Sequence, residues 1–206
     1  VYVICRPHPP RRRALLTADP SLAPTSSDEP QVLKRYLERF ETFQTQGGKF
    51  RVAILNHCNL NCFFCHNEAM ANPRLGGRKA VPPALDTDRI LEIINTYTRL
   101  GGRQVNLTGG EPLAHPDLVG LLSRIEKRQT LIALNTNAVL AERLLRHPRM
   151  DTIDCILASL HTTDDGVFQK QLGGQSVRKV MDNIVALRRH GYRVEINYSL
   201  GPYNRD

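Results

Sequence analysis

Apolar residues recur along this chain with two different periods, and the periods take turns. From Gln31 to Gln46 the apolar positions are Val32, Leu33, Tyr36, Leu37, Phe40 and Phe43. That three-to-four spacing puts one face of a helix against a core. Asp28 to Pro30 gives this helix a start signal and Gly47-Gly48 a stop. Phe50 to Leu55 is a short apolar run with the length of a strand. The alternation then repeats. A helix is predicted over Thr87–Leu100, closed by Gly101-Gly102, and a strand over Val105–Thr108. Pro116 to about Lys127 reads as a helix with proline in its first turn, and Leu131–Leu134 as a strand. A short helix over Val139–Arg146, a strand over Ile153–Ser159, a helix over Ser176–His190 capped by Gly191, and a strand over Arg193–Tyr198 complete the series. Strands alternating with amphipathic helices predict right-handed crossovers and a parallel sheet, so the fold class is α/β with about five parallel strands.

Two stretches fall outside this pattern. Residues Asn72 to Pro83 are irregular, with Gly76-Gly77 and three prolines. At the front, Thr17 to Pro30 is rich in Pro, Ser, Ala and acid and reads as a linker. The expected organisation is therefore an N-terminal extension over 1–48, with the linker at about 17–30 and the helix at about 31–46, followed by one domain over 49–206. Val1 to Cys5 resembles the end or middle of a strand and carries no initiator Met or signal pattern, which predicts an upstream portion.

Composition narrows the class without naming a function. The 206 residues carry a formal charge of +8 and are 41% hydrophobic, as in an ordinary globular protein. No apolar run approaches the length of a membrane span. The basic charge permits an anionic partner such as nucleic acid, but apart from Arg11-Arg12-Arg13 the arginines are scattered, which favours a solvated basic surface. Five cysteines, three of them close together, fit a reducing compartment, and a cytoplasmic location is expected.

Those three cysteines carry the chemistry. Asn56-His57-Cys58-Asn59-Leu60-Asn61-Cys62-Phe63-Phe64-Cys65-His66 follows the first strand of the domain. Soft thiolates favour zinc, copper(I) or an iron–sulfur cluster over a hard cation. A disulfide would leave one of the three unpaired. Structural zinc takes short cysteine pairs and completes its tetrahedron with a second pair or with histidine; no second pair exists, although His57 or His66 would allow a Cys3His site. A cubane cluster normally takes four cysteines, so three would leave one iron open to a ligand that is not protein.

Cys58-x3-Cys62-x2-Cys65, with Phe64 before the last cysteine, resembles the signature of the radical S-adenosylmethionine (radical SAM) superfamily. A second motif, Leu107-Thr108-Gly109-Gly110-Glu111-Pro112, lies about fifty residues later, after a strand, and resembles the GGE motif of that family. The resemblance implies a partial six-stranded (βα)6 TIM barrel, a [4Fe–4S] cluster on Cys58, Cys62 and Cys65, and S-adenosylmethionine bound at the open iron. It also implies that an electron from the cluster splits the sulfonium to a 5′-deoxyadenosyl radical. By the same resemblance Gly109, Gly110 and Glu111 bind the methionine amino end, and Thr136 and Ser159 are placed for contacts to its carboxylate or ribose. Phe64 lies beside adenine, and Asn197 holds the ribose. With five strands visible, the chain is expected to stop about one βα unit short.

Within the family the motifs look most like the branch of the molybdopterin-biosynthesis GTP 3′,8-cyclase, with departures. Asn135-Thr136-Asn137-Ala138 stands where Thr-Thr-Asn-Gly is common, and His161 replaces an aspartate. The cations by which that enzyme grips its triphosphate are His57, Asn106 and Glu195 here. Neutral or acidic groups there remove the strongest contacts to a triphosphate. A small-molecule or peptide substrate, such as a natural-product intermediate, is expected instead, with an electron donor such as flavodoxin or ferredoxin. An RNA- or nucleotide-modifying enzyme and a non-catalytic zinc- or iron–sulfur-binding module are the alternatives.

Overall fold

The computed structural model describes residues 29–65 and 86–204. The expected linker before Glu29, the irregular segment before Pro83 and His66 lie outside them. Five strands form one sheet in sequential order: β1 (Phe50–Leu55), β2 (Gln104–Gly109), β3 (Leu131–Thr136), β4 (Cys155–Ser159) and β5 (Val194–Asn197). All four pairings are parallel, with Phe50 beside Val105, Val105 beside Ile132, Ala133 beside Cys155 and Ile156 beside Val194. Sequential parallel order with helices between the strands is the curl of a partial TIM barrel, as the sequence predicts.

Residue alternation gives the sheet two unlike faces. Val52, Ile54, Val105, Leu107, Ile132, Leu134 and Ile156 point outward into one apolar cluster with the helices, which contribute Ile90, Ile94, Leu121, Leu122, Leu144 and Leu187. The intervening positions put Asn106, Thr108, Asn135, Ser159, Glu195 and Asn197 on the other, inner face. Burial of the outer set supplies most of the stabilisation, at roughly 1.5–3 kcal/mol for each large aliphatic side chain.

The helices in chain order are α1 (Glu29–Thr45), α2 (Thr87–Arg99), α3 (Leu118–Ser123), α4 (Glu142–Leu145), α5 (Asp165–Val167) and α6 (Val177–Arg189). The predicted helix α1 docks on the barrel through Phe40, whose ring meets Tyr97 edge-on at 5.7 Å, and through Gln44, which is buried. Gln44 Nε2 donates to the Tyr97 hydroxyl at 2.8 Å, and its Oε1 accepts from Arg103 N–H at 2.7 Å. Leu37 and Phe43, also in the apolar stripe, remain exposed.

Other elements differ from expectation at their ends. α3 begins two residues after Pro116, because Asp117 is its N-cap and accepts from Gly120 N–H at 3.1 Å. β4 starts at Cys155 rather than Ile153, because Asp154 turns its carboxylate to Ile132 N–H (2.8 Å) and Lys127 Nζ (2.7 Å). The connection between β4 and α6 holds structure that periodicity did not predict. There α5 runs on into a π turn over Phe168–Leu172, closed by Gly173 at φ +75°.

Candidate functional site

The cysteine loop leaves the C-terminal end of β1 and is pinned from two sides. On one side it meets the turn after β2. Gly110 N–H donates to Leu55 carbonyl at 2.7 Å, and Glu111 N–H to His57 carbonyl at 2.8 Å. The approach is so close that a Cβ on Gly110 would lie 1.9 Å from the His57 oxygen. Gly109 has φ +127°, and its Cβ would lie 2.2 Å from the Leu55 oxygen. Neither position admits a side chain. On the other side, Asn61 N–H donates to Leu172 carbonyl (2.8 Å) and Phe63 N–H to Gln171 carbonyl (3.2 Å), so the π turn holds the middle of the loop.

Cys58, Cys62 and Cys65 are half-buried thiols. Burial pushes the Cys58 thiol up, and the charges of Glu111 and Cys65 push the same way; the Leu60 N–H and Asn137 hydrogen bonds oppose them. Those two donors reach Cys58 Sγ at 3.4 Å and 3.8 Å. Among the described residues, no three His, Cys, Asp or Glu side chains gather as they would round a single metal ion. Three thiols on one loop are nevertheless the donor set that a cubane cluster takes, because each thiolate binds its own iron and the three need not converge on one point. N–H groups aimed at a ligand sulfur belong to the same chemistry.

Glu111 is 1% exposed and has its carboxylate fully engaged. Oε1 accepts from Leu113 N–H (2.9 Å) and from the Thr136 hydroxyl (2.6 Å), and Oε2 accepts from Asn137 N–H (2.8 Å). Burial raises its pKa against the pull of these three bonds. The side chain therefore ties the end of β2 to the end of β3. Thr136 is likewise buried: its hydroxyl donates to Glu111 and accepts from Ala138 N–H at 2.9 Å. Expected as a cofactor contact, the Thr136 hydroxyl is here engaged within the protein on both counts.

Ser159 and Asn197 are brought together as register partners at the rim of β4 and β5, Ser159 half-buried and Asn197 exposed. Phe64 stacks on Tyr203 (5.4 Å, 16°) and meets His161 edge-on at 5.0 Å. His161 is buried; its Nδ1 accepts from Ser199 N–H at 3.0 Å, which places the remaining ring proton on Nε2. Burial lowers its pKa to about 4. Asn204 Nδ2 donates to the His161 carbonyl at 2.5 Å. Sequence reasoning gave no site role to Tyr203 or Asn137, although the Asn135-Thr136-Asn137-Ala138 turn was already conspicuous. Its Ala138 adopts φ +58°, a left-handed conformation that Gly would adopt without strain.

Residues 52–206 match the model of the Radical SAM superfamily. The chain belongs to this superfamily. Its members use a [4Fe–4S] cluster and S-adenosylmethionine, and the thiols of Cys58, Cys62 and Cys65 are a donor set that could hold such a cluster. Among curated proteins the chain is 33% identical over 134 residues to a probable GTP 3′,8-cyclase of Archaeoglobus fulgidus, covering 65% of this chain and 42% of that protein. A probable GTP 3′,8-cyclase of Methanococcus maripaludis is 32% identical over 145 residues, covering 70% and 46%. The chain thus spans less than half the length of these two relatives. Its fold is similar to that of SuiB of Streptococcus suis. Against SuiB bound to S-adenosylmethionine the TM-score is 0.57 at 18% identity, covering 85% of this chain and 40% of that one. Against SuiB bound to precursor peptide SuiA it is 0.58, also at 18% identity, covering 89% and 41%.

Proposed function

We propose that this chain is the catalytic barrel of a radical SAM enzyme acting on a peptide or natural-product intermediate. The observation that carries the reading is the junction of two rim loops: a three-cysteine loop tied where it leaves β1 to the Gly109-Gly110-Glu111 turn by two backbone hydrogen bonds, Gly110 N–H to the Leu55 carbonyl and Glu111 N–H to the His57 carbonyl. When bound, the cluster supplies the electron that cleaves S-adenosylmethionine to the deoxyadenosyl radical that abstracts a substrate hydrogen. The protein's part is to hold the thiols on Cys58, Cys62 and Cys65, and to offer the backbone of Gly109 to Glu111 to the methionine amino end. Ser159 and Asn197 stand side by side for the ribose, and Phe64 offers an aromatic edge to the base. Flavodoxin or ferredoxin would donate the electron in a cytoplasmic setting. Anaerobic reconstitution followed by reduction should yield 5′-deoxyadenosine with the wild type and none with Cys62→Ala; its absence from a wild type that holds the cluster would refute the reading.

Three residues support a substrate other than GTP. His57 is exposed on the cysteine loop, while Asn106 and Glu195 lie on the inner face. Asn106 Oδ1 accepts from Gln104 Nε2 at 2.8 Å, and Glu195 is ion-paired with Arg193 at 2.6 Å. A triphosphate would meet an imidazole, an amide and a carboxylate at these places. The second reading, GTP 3′,8-cyclase-like activity, is supported by the names of the curated relatives. Incubation of the reduced, reconstituted protein with GTP decides between them, since a cyclised nucleotide would establish the second reading over the first.

A further inference from the structure

Asn137 is held more firmly than a rim residue needs to be. Its backbone N–H donates to Glu111 Oε2 at 2.8 Å, and its side-chain Oδ1 accepts from Val139 N–H at 3.0 Å. With Oδ1 fixed, the amide nitrogen has one direction left. Nδ2 carries two hydrogens. One goes to Asn59 Oδ1 at 2.7 Å, and the other points at Cys58 Sγ at 3.8 Å. The following residue, Ala138, is fully buried at φ +58°, and its carbonyl accepts from Asn183 Nδ2 at 2.8 Å, so the turn is clamped on both sides. The amide therefore reaches across from the end of β3 and addresses a thiol on the loop after β1.

We propose that Asn137 is a positioning residue that sets the reduction potential of the cluster through an N–H···S hydrogen bond to Cys58, an inference that rests on the cysteine loop holding that cluster. An N–H dipole directed at a ligating sulfur draws off part of its negative charge, so the added electron is accepted more readily. The Leu60 backbone N–H does the same at 3.4 Å but cannot be removed by substitution of a side chain. Asn137 is the adjustable donor of the two. Its amide also fixes Asn59, and with it the first turn of the loop, so the sulfur and its donor move together.

The test uses the anaerobically reconstituted chain and three measurements: iron and sulfide content, the midpoint potential by EPR-monitored redox titration, and pulsed EPR before and after exchange into deuterated buffer. Asn137→Asp keeps the acceptor for Val139 N–H and replaces the donor with a second carboxylate oxygen; Asn137→Ala removes both. With iron and sulfide unchanged, the midpoint is expected to fall in Asn137→Ala and further in Asn137→Asp, and of the exchangeable protons coupled to the wild-type cluster one is expected to vanish from both while that of the Leu60 N–H stays. Midpoints equal to wild type, or a full set of exchangeable couplings unchanged from wild type, would overturn the inference. So would failure of both variants to assemble a cluster, which would make Asn137 a purely structural residue. A wild type that binds no iron and sulfide would instead defeat the reading of the cysteine loop beneath it. Formation of 5′-deoxyadenosine by the wild type is a separate measurement, so failure of the one idea is told apart from failure of the other.

Discussion

The rim of this barrel is built in two ways. Over β1 and β2 it is held by backbone: Leu55 and His57 carbonyls accept from Gly110 and Glu111 N–H, and the glycines are there because nothing larger fits. Over β3 to β5 side chains join the two backbone bonds from the π turn: Asn137 on Cys58 and Asn59, the His161 ring on Ser199 N–H, Asn204 on the His161 carbonyl. Glu111 belongs to both halves. The backbone half specifies where the thiols and the glycine turn must lie, and any chain that binds the same cofactor in the same way meets the same steric demand. The side-chain half can be rewritten one residue at a time; of the departures from the GTP 3′,8-cyclase motifs, Asn135, Ala138, His161 and Glu195 lie there, and His57 and Asn106 lie over β1 and β2.

The sharpest way to break the comparison is Gly110→Ala. A Cβ 1.9 Å from the His57 oxygen forces the two loops apart, with an expected loss of at least about 3 kcal/mol and of cluster loading. A chemical-denaturation midpoint close to wild type would show that the backbone half is softer than its geometry implies. On the side-chain half, His161 binds fewer protons folded than unfolded between its lowered pKa of about 4 and the ordinary 6.5. Stability is therefore fully present above the unfolded value and lost as pH falls through the window. Between pH 7 and pH 5 the loss should be of the order of 2 kcal/mol, and His161→Asn should abolish that share of it in urea titrations at the two pH values. Glu111→Gln turns an amide N–H toward one of three donors and should cost about 1–3 kcal/mol, read as a lower Tm. Ala138→Gly is the smallest. Relief of roughly 1–2 kcal/mol of left-handed strain is offset by about 0.8 kcal/mol of lost Cβ burial and about 0.5–1 kcal/mol of unfolded-chain entropy, so stability should change by less than about 1 kcal/mol.

The two halves also differ in how much could be read from the chain beforehand. The outward apolar positions on the strands repeat with a period that requires no knowledge of the fold, and the glycine pair after β2 marks close approach whatever lies opposite. The cysteine spacing is local and legible for the same reason. Asn137 was not legible, because its significance depends on a backbone held by Glu111, on a rotamer fixed by Val139 N–H and on a thiol 79 residues away. Tyr203 was missed as a shield for Phe64 because it lies in a short stretch with no periodicity of its own. The eight residues Asp165–Leu172 were missed because the run of α-helix ahead of the π turn is three residues long, too short to show an apolar face. Thr136 and Glu111 were legible as residues that matter; that their side chains serve each other became visible only with the distances.

The π turn over Phe168–Leu172 imposes a constraint on how this scaffold could be altered. Its carbonyls at Gln171 and Leu172 carry the middle of the cysteine loop, while its chain neighbours run on to β4 and α6. Insertions or deletions between those two elements, the ordinary route by which barrel enzymes acquire new substrates, would here drag the thiols with them. Grafting a foreign loop at that junction should therefore disturb metal loading before it alters selectivity, whereas the stretch that follows β5 meets the cysteine loop through a side chain, the Tyr203 ring on Phe63 and Phe64.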